Sequence, residues 1–181
     1  PHAWIRRGQL GALFKVMRSF GARDILLLGT ISDRRLPTWR EVDLGARIWV
    51  IPAARMKAGQ EHRVPLSDAA VELLRALPRI DGGELVFPGA SRDRAGNLRP
   101  LSDMSLSAVM RRMKLAAVPH GLRSSFRDWA GERTAYAREV IEHALAHQLK
   151  DKAEAAYARG DLFDKRRRLM TDWAAFVSRV E

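Results

Sequence analysis

Cysteine is absent from the 181 residues of this chain. That excludes disulfides and thiolate-bound zinc, and it fits an intracellular protein. Tyrosine is nearly as scarce, with Tyr136 and Tyr157 alone. No apolar run approaches the roughly 18 residues of a membrane-spanning helix, so no membrane partner is expected. Arg6 and Arg7 interrupt the N-terminal stretch Pro1-His2-Ala3-Trp4-Ile5, which is therefore no secretory signal. Internal repeats and low-complexity linkers are also lacking, and residues 1–181 read as a single domain.

Acidic residues are in deficit. The chain has 21 Asp and Glu against 32 Lys and Arg, a formal charge of +11. A field of that sign draws polyanions, and nucleic acid is the first candidate because phosphate contacts supply most non-specific affinity. An anionic membrane surface is the second. The hydrophobic fraction of 46% is enough for a core, so the charge sits on a folded body.

Patterning gives an α+β outline, mainly α-helical with a small three-stranded antiparallel sheet. Apolar residues at Leu10, Leu13, Phe14, Val16 and Met17 have near-helical spacing over 8–20, and Ile25 to Leu28 is an apolar run. The period then changes. Arg47–Ile51 and Arg63–Leu66 read as strands, with Lys57-Ala58-Gly59-Gln60 turning between them and Glu84–Phe87 as a third strand. Ser67 suits the N-cap of a helix carrying Ala70, Leu73, Leu74 and Leu77. Residues 88–100 hold two Gly and two Pro and read as a loop. Ser102 caps a predicted helix through Met113, followed by helices over Gly121–Gly131, Ala135–His147, Lys150–Ala158 and Leu162–Val180.

Four groups of residues can carry chemistry. In His120-Gly121-Leu122-Arg123 the two side chains share one face of a helix. An Arg fork binds two phosphate oxygens while a His beside it moves a proton. Taken alone the spacing is weak, since a His at a helix start is commonly a cap or a packed ring; Arg127 lies one turn on. Glu142-His143-Ala144-Leu145-Ala146-His147 puts two His at i and i+4. The metalloprotease pattern wants Glu directly after the first His, where Ala144 stands, and no third ligand is evident. Tyr157, on the Ala-rich stretch Ala155–Ala158, either packs or projects into a groove, where a tyrosine hydroxyl can attack a phosphodiester. Lys57, at a hairpin tip, would ordinarily be a solvated lysine.

The order of these groups resembles the catalytic series of the tyrosine recombinases, the phage-integrase family. A Trp and an acidic stretch lead into the hairpin, as Trp39-Arg40-Glu41-Val42-Asp43-Leu44 does here. Ile51–Gly59 with Arg63–Ser67, His120–Ala130, Leu145-Ala146-His147, Ala156-Tyr157-Ala158-Arg159 and Arg168–Ala174 match the wording of prophage integrases over roughly residues 8–178. The resemblance implies the catalytic-domain fold and site-specific DNA recombination or integration through a 3′-phosphotyrosine intermediate. Tyr157 would be the nucleophile. Arg123 would hold the non-bridging oxygens, and His147 would hydrogen-bond the phosphate. Lys57 would protonate the departing 5′-oxygen, and His120 would carry the tyrosine proton. It implies no metal and no other cofactor, since fixed cations neutralise the phosphate. The implied partner is double-stranded DNA, bound by a tetramer of full-length subunits in the bacterial cytoplasm. The N-terminal arm-binding and core-binding domains are expected to be absent and the isolated domain to be monomeric.

One position departs from the pattern. Counting back from Trp39, the family's first catalytic arginine falls on Thr30 and its glutamate on Asp33, with only Arg34 and Arg35 nearby. Losing one transition-state donor costs about 100- to 1,000-fold. Three readings follow: Arg34 or Arg35 reaches in from a shifted loop, the chain is a catalytically impaired DNA-binding prophage remnant, or the segment around Ile31–Pro37 has been altered. A basic phosphate- or RNA-binding module unrelated to recombination explains the charge but none of the motifs.

Overall fold

The computed structural model describes residues 37–80, 83–102, 104–115, 118–147 and 161–179. The readings placed on Leu10–Met17, Ile25–Leu28, Thr30, Asp33, Arg34, Arg35, Lys150–Ala158 and Tyr157 lie outside them.

Strands β1 (Val42–Asp43), β2 (Ile48–Ile51) and β3 (His62–Pro65) form an antiparallel sheet in that order. The β1–β2 turn is set by Asp43, whose Oδ1 accepts from the backbone N–H of Gly45 and Ala46, each at 2.8 Å. Trp49 pairs with Val42 on one side and Val64 on the other. Side chains alternate across a strand, so Trp49 and Ile51 go to the core face. Pro65 closes β3, a position with no N–H to donate.

The sheet has three strands, but its third is not Glu84–Phe87. Leu85 makes an isolated bridge to Thr38, supported by Trp39 N–H to the Glu84 carbonyl (2.8 Å) and Val86 N–H to the Pro37 carbonyl (3.1 Å). Val42–Asp43 fills the sheet instead, a strand of two residues that no alternation pattern can reveal. Ser67 caps α1 (Asp68–Ala76) as expected, its Oγ accepting from Ala70 N–H at 3.3 Å.

Residues 88–100 are no plain loop. They form a second antiparallel ribbon, β4 (Pro88–Arg92) with β5 (Leu98–Pro100). Its turn is held by Asp93, whose Oδ1 accepts from Ala95 and Asn97 N–H at 2.9 Å each. The following helix, α2 (Ser105–Arg112), begins two residues later than the Ser102 cap predicts, with Met104 at its N-cap.

Helix α3 (Pro119–Arg133) starts with Pro in its first position, where the missing N–H costs nothing. Helix α4 (Arg138–Ala144) is shorter than the predicted 135–147, and α5 (Phe163–Arg179) closes the described fold. These three bury Phe126, Trp129, Val140, Ile141, Leu145, Leu169 and Trp173. A second cluster, around Trp49, Ile51, Val64, Leu66, Val71, Leu74 and Val86, lies between sheet and α1. Arg166 links the two. It is 1% exposed, and it donates from Nη1 to the Arg63 carbonyl on β3 and from Nε to the Asp161 carbonyl, each at 2.6 Å.

Candidate functional site

Arg123 and His147, 24 residues apart in sequence, are brought together in the fold. Arg123 lies in the second turn of α3, half-buried, and donates from Nη2 to the Leu145 carbonyl at 2.8 Å. The same Nη2 meets Nε2 of the exposed His147 ring. Burial lowers the Arg123 guanidinium from its ordinary value, with the Glu142 charge opposing.

The end of α4 explains how His147 gets there. Ala146 N–H donates to the His143 carbonyl (3.0 Å) and His147 N–H to the Glu142 carbonyl (2.9 Å). These are the two bonds of a Schellman cap, and they require a left-handed residue at Ala146, which has φ +50°. The cap folds the chain back over the last turn, so the His147 ring returns to the helix it has just left. Its Nδ1 lies 2.5 Å from Glu142 Oε2. Glu142 is buried at 8% exposure. Its Oε1 accepts from Arg127, at 2.9 Å from Nε and 2.8 Å from Nη2. Burial alone would raise the Glu142 carboxyl, but the bonds from His147 and Arg127 outweigh it and hold the group below its ordinary value. The result is a chain of contacts, Arg123–His147–Glu142–Arg127, between α3 and the α4 cap.

Lys57 sits in the exposed turn between β2 and β3. The turn needs Gly59, whose φ is +64° and whose N–H donates to the Met56 carbonyl at 3.0 Å. Its base is tied by a largely buried ion pair, with Arg55 Nη1 at 2.6 Å from each Glu41 oxygen; Trp49 Nε1 donates to the same carboxylate at 3.3 Å. Glu41 in the Trp-acidic stretch thus fixes the hairpin that carries Lys57. His120 is exposed in the first turn of α3, one turn before Arg123.

Tyr157 lies outside the described residues. The other tyrosine is committed elsewhere. Tyr136 donates its hydroxyl to Asp172 Oδ2 at 2.7 Å, and burial together with that bond pushes it up to about 12. Such a hydroxyl ties the segment before α4 to α5 and makes a poor nucleophile. Among the described residues no group of three His, Cys, Asp or Glu is placed to hold a metal ion. The pair His143 and His147 diverges: His143 lies toward Arg166 and Asp161, while His147 turns to Arg123.

The sequence motifs point to Arg123 and His147 but give no role to Glu142. A separation of five residues is not a helix-face spacing, so only the cap brings Glu142 and His147 together. The usable signal was a Leu-Ala-His run ending an amphipathic helix with a Glu five residues earlier.

The profile of the phage integrase family matches residues 31–161, and the chain belongs to that family. It is 37% identical over 98% of its length to the prophage integrase IntA of Escherichia coli K12, and 32% identical over 81% to the integrase of Enterobacteria phage P4. It spans 45% and 36% of the length of these relatives. Among solved structures, the integrase from mycobacterium phage Brujita superposes with a TM-score of 0.53 over 92% of this chain and 52% of the other, at 18% identity. That likeness bears on the fold, and it agrees with an α+β catalytic domain of mainly helices with small antiparallel sheets.

Proposed function

We propose that this chain is the catalytic part of a site-specific recombinase that cuts and rejoins double-stranded DNA through Tyr157. The observation that carries the reading is the meeting of Arg123 and His147 across α3 and the α4 cap, where one phosphate can touch both. The Tyr157 hydroxyl attacks phosphorus, the bond to the 5′-oxygen breaks, and the 3′-phosphate stays on the tyrosine. His120 takes the tyrosine proton, and Lys57 gives one to the leaving 5′-oxygen. Arg123 and His147 hold the non-bridging oxygens as charge builds on them. Attack by a 5′-hydroxyl reverses the step. Lys57 is suited to its role because its hairpin is anchored by Glu41 and Arg55 while the tip stays in solvent. Full-length subunits act as a tetramer on DNA in the bacterial cytoplasm, and the isolated chain is a monomer. No described helix is long and apolar enough to cross a membrane.

A second reading is favoured by Thr30, which stands where an arginine is expected. It makes the chain a DNA-binding remnant without turnover. Incubation with a randomised pool of nicked duplexes at low salt separates the two. Recombination predicts a denaturant-resistant protein–DNA adduct that is absent in Tyr157→Phe and slowed about 100- to 1,000-fold in Arg123→Ala. A gel shift without adduct would leave only the remnant. Adduct in Tyr157→Phe would overturn the nucleophile.

A further inference from the structure

We propose that Glu142 is a positioning residue of the recombination site, holding the His147 ring with Nδ1–H turned inward so that Nε2 faces Arg123. The inference rests on the reading of Arg123 and His147 as the phosphate-binding pair, and adds a residue that none of the sequence motifs singles out for that task.

Three observations carry it. First, the carboxylate is buried while both groups it holds are open to solvent. The side chains of His147 and Arg127 are 41% and 51% exposed, against 10% for Glu142. The fixed point of the network is therefore the acid, and the exposed ring takes its orientation from it. Second, the two oxygens divide the work. Oε1 takes Arg127 from α3, and Oε2 takes His147 from beyond the α4 cap. Glu142 thereby sets the spacing between the two segments that carry the pair. Third, an ionised carboxylate only accepts hydrogen bonds. A bond at Nδ1 must then be donated by the ring, which fixes the proton there. On the opposite side of the ring, Nε2 meets Nη2 of Arg123, a group with no lone pair to offer. In a neutral ring Nε2 is the acceptor in that contact. Both contacts select the same tautomer.

The rotamer is constrained as well. The His147 backbone is held by its bond to the Glu142 carbonyl, so main chain and side chain of one residue anchor the histidine at two points. A ring free to rotate would leave Arg123 with the Leu145 carbonyl as its remaining described partner. Loss of position at a reacting phosphate of about 1 Å costs on the order of 100-fold.

The first test is independent of turnover. Long-range nitrogen–proton NMR on the full 181-residue chain, labelled at histidine nitrogen, reports which ring nitrogen of His147 carries the proton. A proton on Nδ1 in the wild type, lost in Glu142→Ala in favour of the Nε2–H form, is the expected result. A bare Nδ1 in the wild type overturns the proposal whether or not the chain cuts DNA and whether or not the variant folds. So does a ring signal that Glu142→Ala leaves unchanged. The second test uses adduct formation. Glu142→Gln is expected to slow it about 100-fold, with DNA affinity changed less than about threefold. In a His147→Ala background the same substitution should have no further effect, because it acts through that ring. A penalty of full size in both backgrounds would make Glu142 a general structural support and refute the positioning role. If wild-type protein forms no adduct while the tautomer responds as expected, the reading of turnover fails and the assignment of Glu142 stands.

Discussion

At the scale of single residues, His62 shows how burial sets chemistry without function. It pairs with Ile51 across the β2–β3 ladder, and its Nε2 is buried with no hydrogen-bond partner. Burial first, then the nearby Arg166 charge, lowers it from 6.5 to about 4. The unfolded chain therefore binds a proton that the folded chain resists between those two values. Stability is unaffected by His62 above about pH 6.5 and falls as pH drops from there toward 4. The expected loss is on the order of 3 kcal/mol at the acid end of that window. Urea unfolding of wild type and His62→Leu at pH 7.5, 5.5 and 4.5 isolates it, since carboxylate effects are common to both. The gap in unfolding free energy should change only below about pH 6.5, and a gap constant with pH would contradict the assignment. Nothing in the sequence marked His62. A histidine on a short strand reads as half-exposed until α5 and its Arg166 are known to cover it.

At the scale of elements, the α4 cap is where local strain and site geometry meet. Ala146 adopts φ +50°, a region that costs a residue with Cβ about 1–2 kcal/mol and glycine little. Glycine also loses more backbone entropy on folding, by about 0.5–1 kcal/mol, so the effects partly cancel. Ala146→Gly is expected to stabilise the protein by up to about 1 kcal/mol, read as a higher denaturant midpoint at unchanged slope. Destabilisation would mean that the Ala146 methyl packs in a way the cap geometry does not require. The same cap ends the helix at Ala144, short of the 135–147 span that the sequence predicts. Its apolar spacing continues through Leu145, but the last residues belong to a reversal that periodicity cannot register. The β4–β5 ribbon was missed for a related reason. Proline and glycine suggested a loop, although Asp93 and Gly96 spell a tight turn between strands. The Lys57 hairpin was legible because Pro52, Gly59 and Pro65 bracket both strands unambiguously.

At the scale of the whole molecule, the formal charge of +11 must be placed before it can be used. Not all of it faces solvent: Arg166 is buried, where it joins the sheet to α5, and Arg55 is closed into its pair with Glu41. Much of the remainder is outside. Arg92, Arg94 and Arg99 are exposed on the β4–β5 ribbon, and Arg111, Arg112 and Lys114 on and just after α2. Asp93 is spent on its own turn, its carboxyl held low first by the Asn97 backbone, so it remains a charge and offsets one of these cations. A duplex resting on such a surface releases condensed counterions in proportion to the phosphates neutralised. With about six contacts, the logarithm of the association constant should fall with the logarithm of salt at a slope near −5. Affinity for a 30-base-pair duplex would then drop about 1,000-fold between 50 and 200 mM salt, measured by fluorescence anisotropy. Charge reversal of Arg94 and Arg99 on the ribbon should flatten that slope by about 2 if both touch phosphate. An unchanged slope would mean that a bound duplex does not rest on the β4–β5 ribbon.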